Sequence, residues 1–129
     1  MPVELTVLAL VGLLALVQIL LVSTLAAPGQ PKGWNAGPRD TDVPLPARAK
    51  RLQRALSNLY ETLPIFGIAV LVTVISGQSS TFTATCAWIY LGARVLYVPA
   101  YAFGWSPWRS LIWMIGTLAT VVLLIAALI

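Results

Sequence analysis

Apolar residues run almost unbroken from Val3 to Ala27, "VELTVLALVGLLALVQILLVSTLAA", with Glu4 and Gln18 the only strongly polar positions. A helix needs about 20 such residues to cross about 30 Å of hydrocarbon, so a first membrane span is predicted over 3–27. The run is longer than a signal-peptide core and lacks a basic leader, which favours a retained helix over a cleaved one. Residues 28–46, "PGQPKGWNAGPRDTDVPLP", are rich in Pro and Gly and predict a loop. The helical pattern restarts over 47–76, "GQSST" at 77–81 forms a turn, and a third helix is expected over 80–103. "GWSP" closes it. Ser106 then makes a suitable N-cap and Pro107 a suitable first residue for a fourth helix over 106–129.

Composition places this pattern in a bilayer. The chain has 129 residues, of which 59% are hydrophobic and 9% charged, whereas a soluble domain is nearer one half apolar and one quarter charged. The predicted class is an all-α integral membrane protein, one domain over 1–129 built as a bundle of four transmembrane helices. With no histidine and a single cysteine, Cys86, imidazole catalysis, an internal disulfide and a Cys-based metal cluster are excluded, and no metal site is expected. Cys86 reads as a packing residue. The net charge of +4 lies on no extended soluble surface, so nucleic acid is not an expected partner. Instead Lys32, Arg39, Arg48, Lys50, Arg51 and Arg54 flank the first loop and Arg94 and Arg109 approach the third. All eight cations thus favour one face, placing the first and third loops in the cytoplasm. Trp34, Trp105 and Trp108 suit an interfacial belt.

The second span carries the informative polarity. In "RLQRALSNLYETLPIF" (51–66) the purely apolar part begins only at Leu63, so a full span draws Asn58 and Glu61 into the hydrocarbon. There an unpaired carboxylate costs at least about 2.5 kcal/mol. At about 100° per residue, Arg51, Arg54, Asn58 and Glu61 fall within about 80° and form one stripe. Tyr90, Arg94, Tyr97 and Tyr101 form a second stripe on the third helix. Glu61 and Arg94 are expected at similar depth and to act as mutual counter-ions. The surplus of cations and hydroxyls around one carboxylate predicts a site for an anionic polar ligand, beyond a helix-locking ion pair. Gln18 is expected either to contact this site or, better, to bond a neighbouring helix. Pro64 and Pro99 are expected to bend their helices nearby.

These motifs carry a family resemblance. "RLQRALSNLYETLPIF" resembles the second-helix motif, and "YLGARVLYVPAY" (90–101) the third-helix motif, of the MAPEG family, the membrane-associated proteins in eicosanoid and glutathione metabolism. "WNAGPRDTDVPLP" looks like the small bacterial branch, which implies a bacterial inner membrane. The resemblance covers about residues 37–113. It implies a left-handed four-helix bundle assembled as a homotrimer, with glutathione bound between subunits near the cytoplasmic face. By motif position, Arg51, Asn58, Glu61, Arg94, Tyr97 and Tyr101 would bind glutathione, with Arg54 beside them. Glutathione offers two carboxylates for arginines, an ammonium for Glu61 and peptide groups for Asn58 and tyrosine hydroxyls.

The implied activity is that of a glutathione-dependent transferase or peroxidase. A guanidinium or hydroxyl beside the sulfur stabilises the thiolate, which attacks a lipophilic electrophile or hydroperoxide arriving from membrane lipid. Arg109 is the leading candidate for this catalytic role and Tyr97 the next. The sequence departs from relatives at Leu56, Thr62 and Trp108, the last standing where several enzymes have the catalytic arginine. Arg109 follows one residue later and either takes that role or matches a structural arginine. A binding-only member of the family is therefore the alternative. A small-molecule transporter fits less well, since Glu61 lies near one face, hemmed by arginines, whereas transport needs a carboxylate reachable from both sides.

Overall fold

The structure, a computed structural model, describes residues 1–27, 37 and 46–129. The loop expected over 28–46, with Lys32, Trp34 and Arg39, lies outside the described residues apart from 37 and 46. Four helices follow one another: α1 (Val3–Ala26), α2 (Ala47–Ile75), α3 (Thr81–Ala102) and α4 (Trp108–Leu128). Their 24, 29, 22 and 21 residues correspond to about 36, 44, 33 and 32 Å of helix. Three of them, α1, α2 and α4, are long and apolar enough to cross a membrane. α3 has the length, but its polar seam lowers its hydropathy. The extra length of α2 lets its basic first two turns stand outside the hydrocarbon.

Each helix packs against the next in sequence, and α1 with α3 and α2 with α4 pack as well. α2 and α3 lie together at the centre, α1 packs against both, and α4 packs against both from the other side. Among the described residues α1 and α4 do not meet. The buried seams explain this arrangement. Val7, Val11 and Ala15 of α1 meet Leu59, Phe66, Ala69 and Val70 of α2 and Cys86, Ala87 and Tyr90 of α3, and the cluster extends to Ala119 and Leu123 of α4. Phe66 and Tyr90 stack at 3.9 Å between centroids. α3 and α4 cross closely at Gly116, where an added Cβ would sit 3.2 Å from Ala93 Cβ, the small-residue packing that membrane helices favour. Large apolar side chains point outward instead, among them Leu13, Leu16, Leu20, Leu118 and Ile125, as lipid requires.

α2 ends in a turn motif that takes up carbonyls of its last turn. At the end of α2, Gly77 has φ +74°. Its N–H donates to Val74 O, and Gln78 N–H donates to Thr73 O. α3 opens with a reciprocal cap, in which Ser80 Oγ accepts from Thr83 N–H and Thr83 Oγ1 accepts from Ser80 N–H. α4 begins one residue later than expected: Pro107 occupies the N-cap position and makes no side-chain cap. The backbone of Ser106–Pro107 runs on from the α3–α4 turn, and Arg109 N–H instead bonds Trp105 O at 2.9 Å. Both α2 and α3 continue as helices through Pro64 and Pro99.

At the end of the bundle holding the α2–α3 turn, Glu4 is completely buried. Ser79 Oγ donates to both of its carboxylate oxygens at 2.9 and 2.7 Å, and Thr83 Oγ1 donates to Oε1 at 2.7 Å. Three hydroxyl contacts thus offset the cost of burying the acid and tie the start of α1 to the α2–α3 turn.

Candidate functional site

A cavity lies at the opposite end, between the first half of α2, the last half of α3 and the first turns of α4. It has a volume of about 670 Å³ and is lined by Arg54, Ser57, Asn58, Glu61, Tyr97, Tyr101, Arg109, Ser110, Trp113 and Met114. That size lies within the usual about 300–1,000 Å³ of small-ligand sites. No residue of α1 lines it.

The α2 stripe divides between two neighbours. Asn58 turns one edge toward α3, where its Oδ1 accepts from Arg94 Nη1 at 2.9 Å. Arg54 and Glu61 occupy the other edge and line the cavity. On a helix Asn58 and Glu61 stand about 60° apart, enough to face different partners. The expected Glu61–Arg94 ion pair is therefore replaced: among the described residues no carboxylate comes within 4 Å of the Arg94 guanidinium, and its polar contact is Asn58. Arg94 is buried and does not line the cavity. It braces the wall from behind, its Cζ 4.4 Å from the centroid of Tyr97.

From Arg94 a row of two rings between two cations runs toward α4. Tyr97 meets Tyr101 edge to face at 5.6 Å, and Arg109 Cζ lies 4.7 Å over the Tyr101 ring. Both tyrosines sit on one side of α3 because they are four residues apart. Arg109 reaches them because α4 leaves the turn immediately before it. One cavity thus contains two guanidiniums, a carboxylate, an amide and two phenols.

Arg51 has a different position. Its Nη1 donates to Ala102 O at 3.4 Å, and it is not among the residues lining the cavity. Gln18 is buried too, but it neither reaches the cavity nor bonds a neighbouring helix through Nε2, which has no hydrogen-bond partner among the described residues. α1 sits behind α2 and α3, so its one central amide faces their packed seam. Behind the cavity wall, Thr62 and Tyr90 share a hydrogen bond of 3.0 Å between hydroxyls. Cys86 is buried as a free thiol within the core.

The α4 wall was missed by motif reasoning. Ser110, Trp113 and Met114 line the cavity with Arg109 because i, i+1, i+4 and i+5 share one helix face. Projecting α4 from Arg109 would have found them. Their effect is a gradient: Arg109 and Ser110 are polar, and one turn farther along α4 the wall becomes apolar and aromatic. Among the described residues no group of three or more His, Cys, Asp or Glu assembles that could hold a metal ion.

A four-helix membrane bundle with a polar cavity near one end of α2 and α3 defines a recognisable class. The chain belongs to the MAPEG family, whose sequence model matches residues 7–129, nearly the whole chain. It is thus a membrane protein of a glutathione-related family. No curated protein matches it.

Proposed function

We propose that the cavity binds glutathione and stabilises its thiolate for attack on lipophilic electrophiles or hydroperoxides, making the protein a glutathione transferase or peroxidase of the membrane. The convergence of Arg54, Asn58, Glu61, Tyr97, Tyr101 and Arg109 on one cavity carries this reading. Glutathione presents complementary groups: carboxylates to Arg54 or Arg109, an ammonium to Glu61, and amides to Asn58 and the phenols. Arg109 with Tyr97 is assigned to the sulfur, because a guanidinium lowers a thiol pKa and the first turn of α4 adds a favourable dipole for an anion. Trp113 and Met114 would receive the lipophilic partner. Arg94 supports Asn58 and Tyr97. The functional form is proposed to be a homotrimer of single-domain subunits in a bacterial inner membrane, the basic end of the bundle facing the cytoplasm.

One observation favours a second reading, glutathione binding without turnover: the Arg109 guanidinium is already engaged on the Tyr101 ring. Titration of purified protein with glutathione, following thiolate absorbance and conjugation of a chloronitrobenzene, decides between them. Catalysis predicts saturable affinity, a thiolate signal at neutral pH, and turnover lost in Arg109→Ala but kept in Thr85→Ala at the far end of the bundle. Affinity without a thiolate signal selects the binding-only reading. No affinity overturns both.

A further inference from the structure

The turn that delivers Arg109 is held from α2. Of the last four carbonyls of α3, three are satisfied within the chain end: Pro99 O accepts from Phe103 N–H, Tyr101 O from Gly104 N–H, and Ala100 O from Trp105 N–H. The remaining carbonyl, that of Ala102, accepts from Arg51 Nη1. Ala102 is itself buried, so this acceptor needs a donor from the protein. Gly104 adopts φ +66°, and a Cβ there would lie 3.7 Å from Arg51 Nη1 and 3.8 Å from Cζ. The guanidinium therefore lies close against the turn at Gly104. One helical turn earlier on α2, Arg48 Cζ sits 5.3 Å from the Phe103 ring centroid. Two cations three residues apart thus grip Ala102, Phe103 and Gly104, where the α3 dipole favours positive charge.

The chain continues from the gripped segment into Trp105, whose carbonyl holds Arg109 N–H at 2.9 Å, and so to the guanidinium over Tyr101. We propose that Arg51, assisted by Arg48, is a positioning residue: it fixes the α3–α4 turn and thereby the placement of Arg109 in the cavity, and it is not a ligand-binding arginine. The division of labour with Arg54 follows. Arg54 lines the cavity and meets ligand, while Arg51, three residues away, serves the turn. The kinetic consequence rests on the glutathione reading above; the structural consequence does not.

Arg51→Ala, Arg51→Lys and Arg54→Ala test it in the full-length protein in detergent, using two measurements. The first is amide hydrogen exchange of residues 102–109 without glutathione. Arg51→Ala is expected to raise exchange across this turn about tenfold or more, while Arg54→Ala leaves it at the wild-type level and Arg51→Lys restores most protection. Unchanged exchange in Arg51→Ala overturns the proposal, whether or not the protein binds glutathione. The second is titration of the bound thiolate. Arg51→Ala is expected to keep glutathione affinity within about twofold and to move the thiolate titration up by about one pH unit, with Arg51→Lys returning it. Arg54→Ala loses affinity by about tenfold. Loss of affinity in Arg51→Ala equal to that in Arg54→Ala would make Arg51 a ligand and overturn the assignment. A wild-type protein that binds no glutathione removes the functional reading, and the exchange result alone then decides on the clamp.

Discussion

Arg94 donates to the amide oxygen of Asn58, and Glu61, one turn farther along α2, is left facing the cavity. A buried guanidinium is thereby held by a neutral acceptor and an aromatic face, and the site's carboxylate is kept for something else. This separates two roles that the sequence makes look like one.

Asn58→Ala leaves the Arg94 Nη1 donor without its acceptor. A hydrogen bond to a charged group contributes about 1.5–3 kcal/mol, so a stability loss of that size is expected in denaturant or thermal unfolding in micelles. Glu61→Gln, at an exposed carboxylate, is expected to change stability by less than about 0.5 kcal/mol while abolishing glutathione affinity. Equal destabilisation by the two substitutions would contradict the separation.

The Glu4 contacts at the other end make a second prediction. Thr83→Val removes a donor to the buried carboxylate and also half of the α3 cap. It is expected to cost about 2–3 kcal/mol. Ser79→Ala should cost about 1–2 kcal/mol. In a double-mutant cycle with Glu4→Gln, both should show coupling; additive losses would mean that these hydroxyls act independently of the acid.

Gly116 tests the α3–α4 crossing. Its missing Cβ would stand 3.2 Å from Ala93 Cβ, so Gly116→Ala is expected to cost about 1–3 kcal/mol through forced separation of the helices. At Gly67 an added Cβ meets only Leu8 Cδ1, at 4.0 Å. Gly67→Ala is expected to be neutral or to stabilise by about 0.5–1 kcal/mol. Melting of the two variants in the same detergent provides the comparison.

Tyr90 anchors the wall through its hydroxyl as well as its ring. Thr62→Val leaves the Tyr90 hydroxyl without its 3.0 Å partner and should cost about 1–3 kcal/mol. Combining it with Tyr90→Phe, which preserves the stack on Phe66, should recover part of that loss. Strict additivity in unfolding measurements would show that the bond contributes nothing.

How much of this was legible in the sequence varies from residue to residue. The helices are, because long apolar runs and the punctuation at "GQSST" and "GWSP" need no tertiary knowledge. The stripe on α2 is also readable, since angle follows from spacing. Spacing does not reveal how an 80° stripe is shared between neighbours, so Arg51 looked equivalent to Arg54 and Arg94 looked like the partner of Glu61. Nothing near Glu4 in sequence points to the hydroxyls that receive it, which are 75 and 79 residues away. The motifs on α2 and α3 do not reach Trp113 and Met114, which enter the wall only through the packing of α4 on those helices.

The Glu4 contacts have a further consequence for adaptability. One rim of the bundle is stapled by hydroxyls around an acid, and the other is hollowed by the cavity. Exchanging Trp113 or Met114 is then expected to reshape the cavity while the staple keeps the helix bundle intact.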